Sequence, residues 1–208
     1  MILYRPTGLE ELRLIYAAHM RAWPARLPEQ PIFYPVLSHE YAGQIARDWN
    51  ARTSEQVGYV TRFSVSDRFT ARFPVQVVGG REHQELWIPA DAVAELNANL
   101  DGPIELVDAF FGPAFSGLLP THGTLAGRSA VDQVKTLAAL FAQSHVDFLF
   151  ELTANKEAVF LHFPFWAQCS LGPEDLSSLT LAQVMDAICR GWRELEPETP
   201  LWHARPAA

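Results

Sequence analysis

The sequence predicts an α+β protein, a compact mixed or antiparallel sheet module over residues 1–112 followed by a smaller helix-hairpin-helix half over 113–208. Three observations carry this. Strands outnumber helices in the first ~110 residues, an ordinary length for one domain. "VGYVTRFSV" alternates Val57, Tyr59, Thr61, Phe63 and Val65 on one face. The Gly/Pro/Ser/Thr-rich stretch "FGPAFSGLLPTHGTLAG" separates two differently patterned halves.

Each element has its own local signal. "MILYRP" alternates as a first strand, and Thr7 with Glu10 forms a capping-box pattern for a helix burying Leu9, Leu12, Ile15 and Tyr16. "RAWPARLPEQPIFYP" carries four prolines and must be an irregular connection, because proline fixes φ and donates no ladder hydrogen bond. Within it, "IFY" reads as a short strand. Ser38 caps "HEYAGQIARDWNAR", in which Tyr41, Ile45 and Trp49 recur every four residues. "RFPVQVV" is the next strand, Gly79-Gly80 a turn, and Leu86 to Ile88 a short strand leading into a helix near Pro89. "GPIELVDAFFG" closes the module.

In the second half Ser129 caps "AVDQVKTLAALFAQ", a helix with Val131, Val134, Leu137, Leu140 and Phe141 on one side. "HVDFLFELT" and "EAVFLHFPFWA" read as a hairpin around "ANKE". Thr180 and Gln183 form a capping box for "LAQVMDAICRGWREL", and the proline-broken tail "EPETPLWHARPAA" is expected to run over the surface.

The 208 residues are 49% apolar and 19% charged, with a net charge of −8, which supplies core material and removes any generic attraction to nucleic acid or anionic membranes. Basic character is almost wholly arginine, since Lys135 and Lys156 are the only lysines. Cys169 and Cys189 show neither a CxxC nor a Cys/His spacing, so no disulfide framework or metal site is expected. No secretory signal and no long apolar span is evident, and a cytoplasmic protein without membrane partners is the expectation. The Gly-rich dinucleotide fingerprint, the phosphate loop, HExxH and GxSxG are all missing, which withdraws direct support from Rossmann dehydrogenases, P-loop NTPases, zincins and α/β-hydrolases.

A distributed constellation remains: "LYRPT" on the first strand, "IFYPVLSHEYA" before the second helix and "HQELWIP" at the later strand. In that order the three pieces resemble the ADP-ribosyltransferase superfamily, over Met1 to about Gly112. The resemblance implies a transferase using NAD as ADP-ribose donor to an unknown macromolecular acceptor. Arg5 would hold the phosphate or ribose of the nicotinamide nucleotide, Tyr34 would stack on nicotinamide, and Glu85 would be the catalytic carboxylate. His83 would be a proton carrier beside Glu85, and Arg81, with Glu82, would lie where the acceptor is read. The chemistry suits the residue types: a preplaced carboxylate stabilises the oxocarbenium-like charge that develops when the nicotinamide–ribose bond breaks.

Ordinary structural roles compete with these. Glu85 could be a solvated strand-end carboxylate, Arg5 an ion-pair partner of Glu10 or Glu11, Tyr34 a half-buried core residue, and His83 and Arg81 parts of a hydrophilic loop. A non-catalytic binding or immunity-type protein, and a related NAD-consuming or phosphotransferase enzyme, are the alternative functions. The aromatic run Phe160, Phe163, Phe165 and Trp166 in the second half is expected in the core or in a contact between the halves, with a homo-oligomer or interaction surface as its second reading.

Overall fold

The computed structural model describes residues 1–202 and shows an α+β chain that divides into two compact units between Pro113 and Ala114. In chain order the first unit contains β1 (Ile2–Thr7), α1 (Leu9–Ala17), β2 (Ile32–Phe33), α2 (His39–Asp48), β3 (Val57–Ser64) and α3 (Asp67–Thr70), then β4 (Val75–Val77), β5 (Gln84–Leu86), β6 (Ile88–Pro89), α4 (Val93–Ala98) and β7 (Glu105–Phe111). Every strand pairing among the described residues is antiparallel, so of the mixed and antiparallel alternatives the second is realised. β3 lies between β1 and β7, and single bridges from Tyr4 to Val36 and from Val36 to Glu85 carry the pairing outward to β5 and β4.

The strand at the centre is buried on both faces. Tyr59, Thr61 and Phe63 are covered on one side, while Val60 on the other packs with Val36, Tyr41, Ala42, Ala46 and Val107 in the layer that α2 lays on the sheet. Gly58 permits the close approach of that helix, because a Cβ there would sit 2.1 Å from the Ala46 carbonyl oxygen. The Ser38 cap forms, its hydroxyl accepting from the Tyr41 N–H at 3.1 Å. α2 ends at Asp48 and continues as a 3-10 turn, and Trp49 projects into solvent, so the Tyr41–Ile45–Trp49 stripe does not run as a single buried face.

The cap of α1 differs from the expected box. Gly8 occupies the N-cap, and the Glu55 carboxylate accepts from the Leu9 N–H at 2.7 Å and from the Glu10 N–H at 3.3 Å. A carboxylate serves a helix N-terminus better than a hydroxyl, since it carries full negative charge against the exposed amides. α3 is an element for which no signal was read, although Ser66 caps it.

The second unit is helical among its described residues, with α5 (Ala130–Gln143), α6 (His145–Ala154), α7 (Lys156–Gln168) and α8 (Leu181–Leu195). The expected hairpin is therefore replaced by α6 and α7. Ser144 caps α6 by accepting from the Asp147 N–H at 3.2 Å, and the i,i+4 pair Glu151–Asn155 is hydrogen-bonded at its end. α7 is covered nearly all round, from Ala158 through Phe160, Phe163 and Trp166. A central helix has no polar stripe, and its continuous apolar run cannot be told from a buried strand by periodicity. Of the aromatic run, Phe160, Phe163 and Trp166 are core as expected and Phe165 is half-buried, with the Trp166 indole donating to the Ala130 carbonyl at 2.7 Å.

Two buried polar hubs hold the long loop that opens this unit. His162 Nε2 accepts from the Leu118 N–H at 2.7 Å, while its Nδ1 faces Gln133 Oε1 at 2.9 Å and Gln133 Nε2 donates to the Leu118 and Arg128 carbonyls. Glu151 Oε1 accepts from the Thr124 N–H at 2.7 Å. The Thr180–Gln183 capping box of α8 is present, and both cysteines are half-buried free thiols whose pKa burial raises. The tail departs from its expected surface course: Trp192 donates to the Thr199 carbonyl at 2.6 Å, and Leu201 and Trp202 are buried. Its last residues, 203–208, lie outside the described part. No helix of the described residues is long and apolar enough to cross a membrane.

Candidate functional site

Strand alternation decides which of the expected site residues can meet. Residues directly opposite across antiparallel bridges share a face, so Tyr4, Val36 and Glu85 point to the same side of the extended sheet. Arg5 follows Tyr4 and points to the other. Trp87 stands two residues beyond Glu85 and returns to the Glu85 side, whereas Leu86 and Ile88 are buried on the opposite one.

Arg5 is 8% exposed, and each of its three guanidinium nitrogens makes a hydrogen bond. Its Nε and Nη2 donate to the two Glu11 oxygens at 2.9 and 3.2 Å, and its Nη1 donates to the Tyr34 carbonyl at 3.2 Å. The guanidinium lies 4.4 Å from the Phe33 ring centre. It is thus the structural ion-pair partner of Glu11, one of the two acids its sequence neighbourhood offered, and its donors are turned away from Glu85. The three-residue constellation does not assemble around one ligand in this arrangement.

Tyr34 and Glu85 do come together, through Trp87. The Trp87 indole donates to Glu85 Oε1 at 2.6 Å, and the Tyr34 and Trp87 rings meet edge to face at 6.0 Å. Glu85 is only 9% exposed, whereas Tyr34 and Trp87 are 39% and 45% exposed. A carboxylate therefore lies at the foot of two open aromatic rings. Its charge reaches Tyr41, whose hydroxyl pKa is raised by burial first and by Glu85 second.

His83 stacks on Tyr41 with ring centres 4.4 Å apart, and its Nδ1 accepts from the Gly80 N–H at 3.4 Å. That bond makes Nδ1 an acceptor, so His83 serves the turn between β4 and β5, and its Nε2 stands 3.7 Å from Glu82. Arg81 is exposed in the same turn. Among the described residues, no three His, Cys, Asp or Glu side chains are grouped to hold a metal ion.

The signal for Trp87 was present in "ELW", since the i,i+2 step of a strand puts Glu85 and Trp87 on one face. Tyr41 was recognised only as a helix residue. Its contact with His83 is set by the return of a strand more than forty positions later, which no local pattern contains.

Neither a protein-family model, nor a curated protein, nor a solved structure matches this chain.

Proposed function

We propose that the N-terminal unit is a recognition module that seats a planar, positively charged group on the Tyr34 and Trp87 rings against the Glu85 carboxylate. The observation that carries this reading is the short Trp87–Glu85 hydrogen bond, which fixes a nearly buried anion beneath two exposed aromatic faces. Aromatic faces attract cations by ~0.5–2 kcal/mol each. A carboxylate with low solvent access adds Coulomb attraction that water screens only partly. The candidate ligand classes are guanidinium and pyridinium groups, and the pyridinium of NAD is one of these.

The second reading is an ADP-ribosyltransferase-like enzyme that uses NAD and transfers ADP-ribose to a macromolecular acceptor. Its specific support is the meeting of Tyr34 with Glu85 in one site, in addition to the sequence resemblance. Glu85 would orient the ribose and stabilise its developing charge. The phosphates would need a cation other than Arg5, and Arg81 lies on the hairpin that carries Glu85.

A titration followed by indole N–H resonances tests both. At least one of 1-methylnicotinamide, methylguanidinium and NAD should shift the Trp87 signal saturably in the wild type and lose that effect in Glu85→Gln. No shift with any of the three removes the module reading. Consumption of NAD in cell extract by the wild type, and not by Glu85→Gln, selects the transferase; binding with NAD left intact selects the non-catalytic module.

A further inference from the structure

The side of the sheet opposite Glu85 holds a charge imbalance. Glu11 on α1 is shared by two arginines, since Arg26 Nη1 donates to the same Oε1 that Arg5 Nε uses, at 3.3 and 2.9 Å. Two guanidiniums against one carboxylate leave one positive charge in excess, and both arginine side chains are 10% exposed. Arg5 spends its donors on Glu11 and on the Tyr34 carbonyl. Arg26 does not, because its buried Nε has no partner.

Two more buried polar atoms near this cluster are also without partners, the Trp23 indole Nε1 and the Thr7 hydroxyl, on residues 2% and 1% exposed. The Trp23 ring centre lies 6.0 Å from the Arg5 guanidinium carbon and 5.0 Å from the Phe33 ring centre. The Arg26 guanidinium carbon lies 5.9 Å from the same Phe33 ring. Thr7 is on the Arg5 face of β1. An indole N–H and an arginine Nε are donors only, so what this cluster lacks is an acceptor. Its excess charge gives the acceptor a sign. Burial and the Arg5 charge also lower the Arg26 pKa, in keeping with a guanidinium short of negative partners.

We infer that the Arg26–Trp23 corner beside Phe33 binds a singly charged oxyanion, a carboxylate or a phosphodiester group, with Arg26 Nε and Trp23 Nε1 as its donors and Arg5 as a supporting charge. A monoanion matches the surplus of one. The apolar flank formed by Phe33 and Trp23 excludes water from the bonds, which strengthens them. Arg5 acts here through Glu11 and not as a ligand, and the donors of the corner lie on residues other than those of the Glu85 site, which it adjoins through Tyr34.

The full chain serves for the test, with sodium acetate and dimethyl phosphate as probes against sodium chloride at matched ionic strength. A bound anion raises the thermal midpoint for at least one probe, in step with the logarithm of its concentration once that exceeds Kd, because it binds the folded chain alone. Acetate and dimethyl phosphate, run separately, tell the carboxylate from the phosphodiester. In Arg26→Gln the rise should vanish. The wild type offers a second readout that needs no stable variant: the Trp23 indole N–H resonance, assigned through its nuclear Overhauser contacts to the neighbouring Phe33 ring, should move downfield along a saturable curve with the Kd that the midpoint shifts give. A midpoint that follows ionic strength alone with a stationary Trp23 resonance overturns the inference, as does a rise that persists in Arg26→Gln.

Discussion

His162 is sealed between Gln133 and the Leu118 amide, and burial pushes its pKa down to about 3. In the unfolded chain a histidine takes its proton near 6.5. The folded form binds that proton less readily, so its contribution to stability is whole above pH 6.5 and falls away as the pH drops toward 3. Between pH 7 and pH 5 the loss is about 2 kcal/mol. Urea unfolding at those two pH values should show a drop that is smaller by that amount in His162→Gln. The Arg5–Glu11–Arg26 cluster makes a second expectation at this scale. Glu11→Gln leaves two guanidiniums without their shared anion and should cost about 3 kcal/mol in the same assay, the usual penalty for a largely buried charge that loses its partner.

Among the elements, β3 and α8 give contrasting tests. Gly58→Ala drives a methyl group into the Ala46 carbonyl, backbone against backbone, and α2 must lift from the sheet to admit it. We expect a loss of about 3 kcal/mol, at the upper end of overpacking costs, measured as a lower urea midpoint. Thr180→Ala removes only a capping hydroxyl, and about 1 kcal/mol should follow. Sequence pattern was informative where one face was buried or a cap was local. β3, α5 and α8 carried their own evidence in alternation, in a helical stripe, and in Ser129 and Thr180. α6 and α7 did not, because a helix surrounded by its neighbours loses the polar face that would reveal its period. The Thr7–Glu10 box misled for another reason: the carboxylate that occupies that place comes from Glu55, and local spacing says nothing of distant competitors.

For the molecule as a whole, the division at Pro113 and Ala114 predicts that residues 1–113 fold when expressed alone. That fragment contains β1, β3, β7 and the helix layer on them, and should give one cooperative urea transition that coincides by circular dichroism and fluorescence. A fragment without a cooperative transition by either probe would show that the first unit does not fold by itself. The candidate site was partly legible at this scale. Glu85 and Tyr34 were found by residue type and order, but the side of a sheet to which a side chain points depends on register across bridges, and register placed Arg5 behind the sheet.

The carboxylate that Glu55 lends to Leu9 and Glu10 has a temporal meaning. As the chain leaves the ribosome, the opening turn of α1 keeps bare amides until a residue forty-six places downstream has emerged. Hydrogen exchange at Leu9 should consequently quicken in Glu55→Gln while exchange deep in β3 stays unchanged, because only the first turn of α1 is fastened by that carboxylate.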